Sequence, residues 1–175
     1  MKIVETTRRG FVIDEIVDSE VRARNFGGVE KKSGNRTVNT EGRRNFLLYI
    51  TEEIAEQLKE FGCEVKYTTP RDENDVARPF VSMNISYYLK PVEAHLIANG
   101  VDTLLDEDHL YQLNDFEFKN LGLVVELGKE KVHQNGVRYI PMFASQIWAE
   151  ITPSYFGTRY AYLNNQGQAE EATPF

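Results

Sequence analysis

Between Phe80 and Leu89 the chain alternates: Val81, Met83, Ile85 and Tyr87 share one parity, and Ser82, Asn84, Ser86 and Tyr88 share the other. A period of two belongs to a half-buried strand, because successive side chains of an extended backbone point to opposite faces. One strand cannot bury its apolar face alone, so the rest of the chain must supply partners. Gly10–Phe26 reads as a long bent strand through Phe11, Ile13, Ile16, Val17, Val21 and Ala23, with Arg22 and Arg24 alternating. Arg43–Ile50 reads as a buried strand with a basic start, and Cys63–Thr69 as a third, ended by Pro70. Glu93–Ala98 gives another short strand before an Asn99-Gly100 turn. Leu121–Leu127 and Val137–Ile151 are long apolar stretches on either side of Asn135-Gly136. That dipeptide signals a hairpin whose two central residues both need positive φ.

Helical signals are few. Thr51 suits an N-cap, Glu52 and Glu53 suit the first turn, Ile54, Leu58 and Phe61 share a face, and Gly62 closes the segment. A short amphipathic helix over about 51–61 follows, and a second helical turn is expected over about 106–113 with Asp106 as its cap. Residues 27–42 hold four glycines and little to bury, which predicts a long mobile loop. The expected fold is mostly β: an OB-like antiparallel barrel with one short helix and one helical turn. The expected organisation is a single domain over 1–163, followed by a disordered acidic tail over 164–175.

Charge narrows the function. The 175 residues carry 20 Lys and Arg against 27 Asp and Glu, a net charge of −7, which excludes a uniformly basic, duplex-coating protein. The excess acid lies beyond residue 90. Residues 22–44 instead carry Arg22, Arg24, Lys31, Lys32, Arg36, Arg43 and Arg44 against Glu30 and Glu41. Screening confines each charge to about 8–10 Å, so such a segment can bind a polyanion on an acidic protein. With no apolar leader and no long apolar window, no membrane segment is expected, and the protein is expected to be cytosolic.

Signs of catalysis are weak. The glycines near 27–34 do not match a phosphate loop, and His95, His109 and His133 are scattered. Asp106, Glu107, Asp108 and His109 suit a helix start better than a metal site, and Cys63 reads as a small buried hydrophobe. The chain is therefore expected to be no enzyme and to need no cofactor; a nuclease using Asp102, Asp106 and Asp108 ranks last. The positive signal is the recurrence of cations beside rings: Arg24 and Phe26, Arg43, Arg44 and Phe46, Lys66 and Tyr67, Tyr87, Tyr88 and Lys90, Arg138 and Tyr139. Single-stranded nucleic acid requires that combination, cations for the backbone and flat rings for unpaired bases.

Several stretches in order resemble the single-stranded DNA-binding proteins of bacteriophages. They are Arg24-Asn25-Phe26-Gly27, Gly42-Arg43-Arg44-Asn45-Phe46, Gly62, Pro91 with Glu93–Ile97, Thr103–Asp108 and the Asn135-Gly136 hairpin, covering roughly residues 13–152. The resemblance implies an OB-fold that holds single strands in phage replication and recombination, in the cytoplasm of the infected host. It departs at Gly62-Cys63, where relatives carry Gly-Trp, and at Leu127–Lys131, where relatives often carry an Arg-Pro-aromatic-Trp run. On this reading Arg22, Arg24, Arg43, Arg44, Lys66 and Arg138 follow phosphates, while Phe26, Tyr49, Tyr67, Tyr88 and Trp148 are the candidate stacking rings. The end of the chain, Glu170, Glu171, Pro174 and Phe175, resembles the acidic Pro-Phe tip with which bacterial single-strand-binding proteins recruit replication and repair enzymes. Single-stranded DNA, proteins held by that tip and further copies of the chain are the expected partners. The competing reading is a phage protein that inhibits a host defence or replication factor by protein contact.

Overall fold

The computed structural model describes residues 1–152. Its strands are β1 (Lys2–Thr7), β2 (Gly10–Ile16), β3 (Val21–Asn25), β4 (Lys31–Ser33), β5 (Arg36–Asn39), β6 (Arg44–Tyr49), β7 (Lys66–Tyr67), β8 (Pro79–Ile85), β9 (Glu93–Ala98), β10 (Val101–Leu105), β11 (Phe118–Leu127), β12 (Lys131–Val132), β13 (Arg138–Tyr139) and β14 (Met142–Ile151). One α-helix, α1 (Glu52–Glu60), and two 3-10 turns, Asp18–Glu20 and Leu110–Asn114, complete the described elements.

The main sheet runs β1-β2-β11-β14-β8-β6-β3, and no ladder joins its two ends. The chain closes the circuit instead. β2 pairs with β11, β3 pairs with β6, and the two are one bent strand interrupted by Asp18–Glu20. The resulting order is bent strand, β6, β8, β14, β11 and back, with β8 and β14 parallel and the other pairs antiparallel. This is the partly open five-stranded barrel of an OB-fold. The bend is local. Ala23 takes φ of 48° where the β3–β6 register slips between Arg22 and Asn25, a bulge that turns the strand.

Alternation fills the barrel. Phe11, Ile13, Phe46, Leu48, Val81, Met83, Leu121, Leu123, Ala144 and Ile147 all point inward and are buried. Gly10 is required where β2 meets β11, since a Cβ there would sit 1.8 Å from the Val125 carbonyl oxygen. The helix begins as expected, with Thr51 Oγ1 accepting the Ile54 N–H at 3.3 Å, and it buries Ile54, Ala55 and Leu58. Burying each of the two larger side chains contributes about 1.5–3 kcal/mol.

Other expectations are corrected. The helical turn lies at Leu110–Asn114 and is 3-10; Asp106 caps the turn before it by accepting the His109 N–H at 3.0 Å. Val101–Leu105 is a strand paired with β9, and Lys2–Thr7 is another, paired with β2. Of the two dipeptide turns, Asn99-Gly100 has both φ values positive, 51° and 76°, whereas at Asn135-Gly136 only Gly136 does. Residues 31–39 form the β4–β5 hairpin rather than bare loop. Its base is tied by buried asparagines: Asn25 and Asn39 donate to the Val29 carbonyl, Asn39 to the Arg43 carbonyl, and Asn45 to Asn39 Oδ1. The expected boundary at residue 163 and the acidic tail lie outside the described residues.

Candidate nucleic-acid interface

In an OB barrel the outer face of the second and third strands, with the first-to-second and fourth-to-fifth loops, is where oligonucleotides bind. Here these are β6 and β8, residues 26–43 and residues 128–141. Parity on β6 and β8 sends Asn45, Leu47 and Tyr49 outward opposite Asn84, Ser82 and Phe80, because Phe46, Leu48, Val81 and Met83 point in.

Two open grooves adjoin on this face. The larger, about 990 Å³, is lined by Arg22, Tyr49, Tyr67, Arg71, Arg78 and Phe80, together with Thr68, Thr69, Asp72, Asn74 and Asp75. The Arg78 guanidinium lies 4.8 Å over the Tyr49 ring, and Tyr49 meets Phe80 at 5.7 Å. Asp75 and Asp72 are engaged inside their own loop, accepting the Arg71 and Asn74 backbone N–H groups at 3.0 and 2.9 Å. The second groove, about 510 Å³, runs between the two barrel loops, with Arg43, Arg44, Lys66 and Lys131 around Ser82, Asn84, Tyr139 and Phe143. β8 joins the grooves, since Phe80 lines the first while Ser82 and Asn84 line the second.

Among the described residues, Arg22, Arg43, Arg71, Arg78 and Lys131 have no carboxylate within 4.0 Å. Such cations are free to meet phosphate. The fourth-to-fifth loop is pinned into place as the far wall. His133 Nε2 meets Glu64 at 2.6 Å and its ring stacks on Tyr139 at 4.2 Å, while the Ile140 N–H donates to the Gly62 carbonyl at 3.0 Å. Cys63, beside that contact, is buried, and burial pushes its thiol up to about 11. This wall of the groove thus presents a buried thiol and no ring at position 63.

The predicted residues divide. Arg22, Tyr49 and Tyr67 come together in the larger groove, and Arg43, Arg44 and Lys66 in the second. Three of these are partly occupied. Arg44 lies 3.3 Å from Glu107 and 5.1 Å over the Tyr87 ring, Lys66 lies 3.6 Å from Glu64, and Tyr67 receives a hydrogen bond from Lys59 at 2.8 Å. Tyr88, 89% exposed, stands over a shallow recess that Arg44 and Tyr87 also line.

Four candidates sit elsewhere. Arg24 is structural: its guanidinium donates to the Phe116 carbonyl at 2.6 Å, pairs with Asp18 and covers the Phe118 ring at 4.3 Å. Asp18 in turn accepts the Phe118 N–H at 2.8 Å. Burial works against its ionised form, but that hydrogen bond and Arg24 hold its carboxyl below the usual range. This cluster staples the bend of the first strand to the start of β11. Phe26 is fully buried and stacks on Phe46 at 5.1 Å, so no base can reach it. Arg138 lies on β13, 3.8 Å from Glu130 and outside both grooves. Trp148 lies where β14 pairs with β9, stacked on His95 at 3.6 Å and again outside them.

Sequence reading missed Arg71, Arg78, Phe80, Lys131, Tyr139 and Phe143 as groove residues. Phe80 was within reach, because it shares the outward parity of Ser82 and Asn84. Lys131 and Tyr139 become visible only once their hairpin is known to face β8 across the groove.

Residues 7–170 match the family described as "Putative phage ssDNA-binding domain". The chain belongs to this family. That description names DNA binding and no reaction. Among solved structures the chain is similar to the single-stranded DNA-binding protein from bacteriophage Enc34 in complex with ssDNA. The TM-score is 0.50 at 10% identity, covering 89% of this chain and 97% of that one. A C-terminal truncation of the same protein aligns with a TM-score of 0.47 at 9% identity, covering 87% and 96%. The first of these likenesses concerns the fold. No curated protein matches the chain.

Proposed function

We propose that this chain binds single-stranded DNA without sequence preference along the two adjoining grooves outside β6 and β8. One observation carries the reading: on the barrel face where OB-folds hold oligonucleotides, cations with no carboxylate within 4.0 Å among the described residues line the same grooves as half-buried rings. Arg22, Arg71, Arg78, Arg43 and Lys131 follow the phosphates, with Lys66 and Arg44 contributing what their own acidic neighbours leave. Tyr49, Phe80, Tyr139 and Phe143 offer faces or edges to unpaired bases, an interaction worth about 1–3 kcal/mol per base and blind to sequence. Family membership supports the same reading, as does the fold shared with the Enc34 protein in complex with ssDNA.

The test is anisotropy of a labelled oligothymidine against a duplex of equal length, over a range of salt. Binding is expected to favour the single strand and to weaken with a log–log slope of about −0.7 per phosphate neutralised. Duplex preference, or binding indifferent to salt, contradicts it.

The proposed setting rests on the family match. A sequence-blind single-strand binder serves phage replication or recombination in the cytoplasm of the infected host. Glu170, Glu171, Pro174 and Phe175 supply an acidic segment and an aromatic ring suited to a basic-rimmed apolar pocket on a partner protein. Deleting 170–175 should abolish partner capture while leaving DNA affinity equal or higher.

A further inference from the structure

Four strands of the main sheet, β1, β3, β7 and β10, have one partner each among the described residues; of these, β1 pairs only with β2, and β10 only with β9. Both are edges of a single run, β1-β2-β11-β14-β9-β10. An edge strand presents a row of unpaired backbone groups, a template for another strand. Neither edge carries a proline, and each exposes apolar side chains, Val4 on β1 and Val101 and Leu104 on β10. On β10 four successive residues, Val101–Leu104, are exposed, while β9 beside it is held against β14, so β10 is an open edge of the sheet.

Topology fixes the relative direction of the two edges. From β14 through β11 and β2 to β1 there are three antiparallel steps; from β14 through β9 to β10 there is one parallel step and one antiparallel step. β1 and β10 therefore run the same way. If the β10 of one copy lies beside the β1 of another, the sheet continues in parallel and the C-terminal ends of both strands meet. Those ends carry opposite charge. Arg8 and Arg9 follow β1 and have no carboxylate partner among the described residues, while Asp106, Glu107 and Asp108 follow β10. A bulge at Val4 breaks the register of β1 and leaves Glu5–Thr7 as its regular pairing segment, next to the charged end.

We propose that a second copy of this chain docks head to tail, its β10 against β1 of the first beyond the Val4 bulge, with Arg8 and Arg9 facing Asp106 and Asp108. A heterologous contact of this kind leaves one edge free at each end and can repeat. Copies laid along one DNA strand then help each other bind. That consequence rests on the DNA-binding reading; the contact itself does not.

The experiment uses full-length chains carrying a single surface cysteine, Thr6→Cys or Thr103→Cys, mixed and treated with a short bismaleimide; the buried native Cys63 is controlled by the unmodified chain. A mixed dimer between the two variants, exceeding either homodimer, is expected, with or without oligothymidine. Dominant homodimers, or no product above the control, overturn the contact. Arg8→Glu with Arg9→Glu should lower the mixed product and the cooperativity on long oligothymidine about fivefold. It should leave affinity for an oligomer holding one copy within about twofold, because these arginines lie outside both grooves. Adding Asp106→Arg and Asp108→Arg to the second copy should restore the mixed product. No loss, or no rescue, overturns the charge pairing. Failure of the single-copy oligomer to bind the unmodified chain counts against the DNA reading, while the cross-link still decides the contact.

Discussion

Arg22 and Arg24 stand two residues apart on the same strand, and they serve two regions with opposite logic. On the outer face of β6 and β8, Arg22 joins Arg71 and Arg78, which like it have no carboxylate within 4.0 Å among the described residues, beside half-buried rings. At the seam where the bent strand meets β11, Arg24 is consumed by Asp18, two backbone carbonyls and the Phe118 ring. Arginine beside an aromatic is thus not a DNA-binding signal by itself. The two share parity, so the bulge at Ala23 that turns the strand between them, and whether an acid stands within reach, decide between ligand and structure.

Substitutions can break this contrast. The largest effect should come from the buried side, where Phe26→Ala removes a ring stacked on Phe46 and should cost about 3–5 kcal/mol of stability by chemical denaturation. The remaining folded protein should bind oligothymidine with unchanged affinity, and a specific affinity loss would put Phe26 back in the interface. Arg24→Ala should cost about 2 kcal/mol, discounted because Asp18 is partly exposed, again with binding intact. Tyr49→Ala should behave in the reverse way. It should lose about 1–3 kcal/mol of binding to oligothymidine in anisotropy, with a melting temperature close to that of the unmodified chain. Arg138→Glu, at a cation already beside Glu130, should change affinity far less than Arg43→Glu; equal losses would move the groove towards β13.

The smallest effect concerns Trp148. Its partner His95 also meets Glu93 at 2.6 Å and Asp102 at 2.8 Å. Burial opposes the charged imidazole, but the two carboxylates outweigh it and raise its pKa above the ordinary 6.5. The stability this contributes is fully present below pH 6.5 and fades as pH rises through the higher folded value. Trp148 fluorescence should therefore titrate with a midpoint above 6.5, and His95→Gln should abolish the transition. Oligothymidine should leave the signal unchanged, because Trp148 stands outside both grooves.

How far the sequence disclosed this molecule varied with how local the signal was. The strand at 80–85, the helix at 52–60 and the strand at 93–98 follow from periodicity and capping, which are decided within a few residues. The seam was hidden, since nothing around Arg24 announces that Asp18 and Phe118 will meet it from 6 and 94 positions away. The same holds for the second groove, whose walls come from residues 43 and 131 and face each other only once the barrel forms. Phe26 misled for a related reason: a basic neighbour suggested exposure, but the bulge at Ala23 turned the ring inward onto Phe46. Arg138's neighbour was equally hidden, because Glu130 reaches it only through the β12–β13 hairpin.

The most direct measurement is the salt dependence of binding to a short oligothymidine for the unmodified chain and for Arg43→Glu with Lys131→Glu. The account predicts weaker binding by the double variant and a log–log slope shallower by about 1.4, two phosphate contacts at about 0.7 each, with thermal stability retained. An unchanged slope and affinity in a folded double variant would place the DNA elsewhere and contradict it.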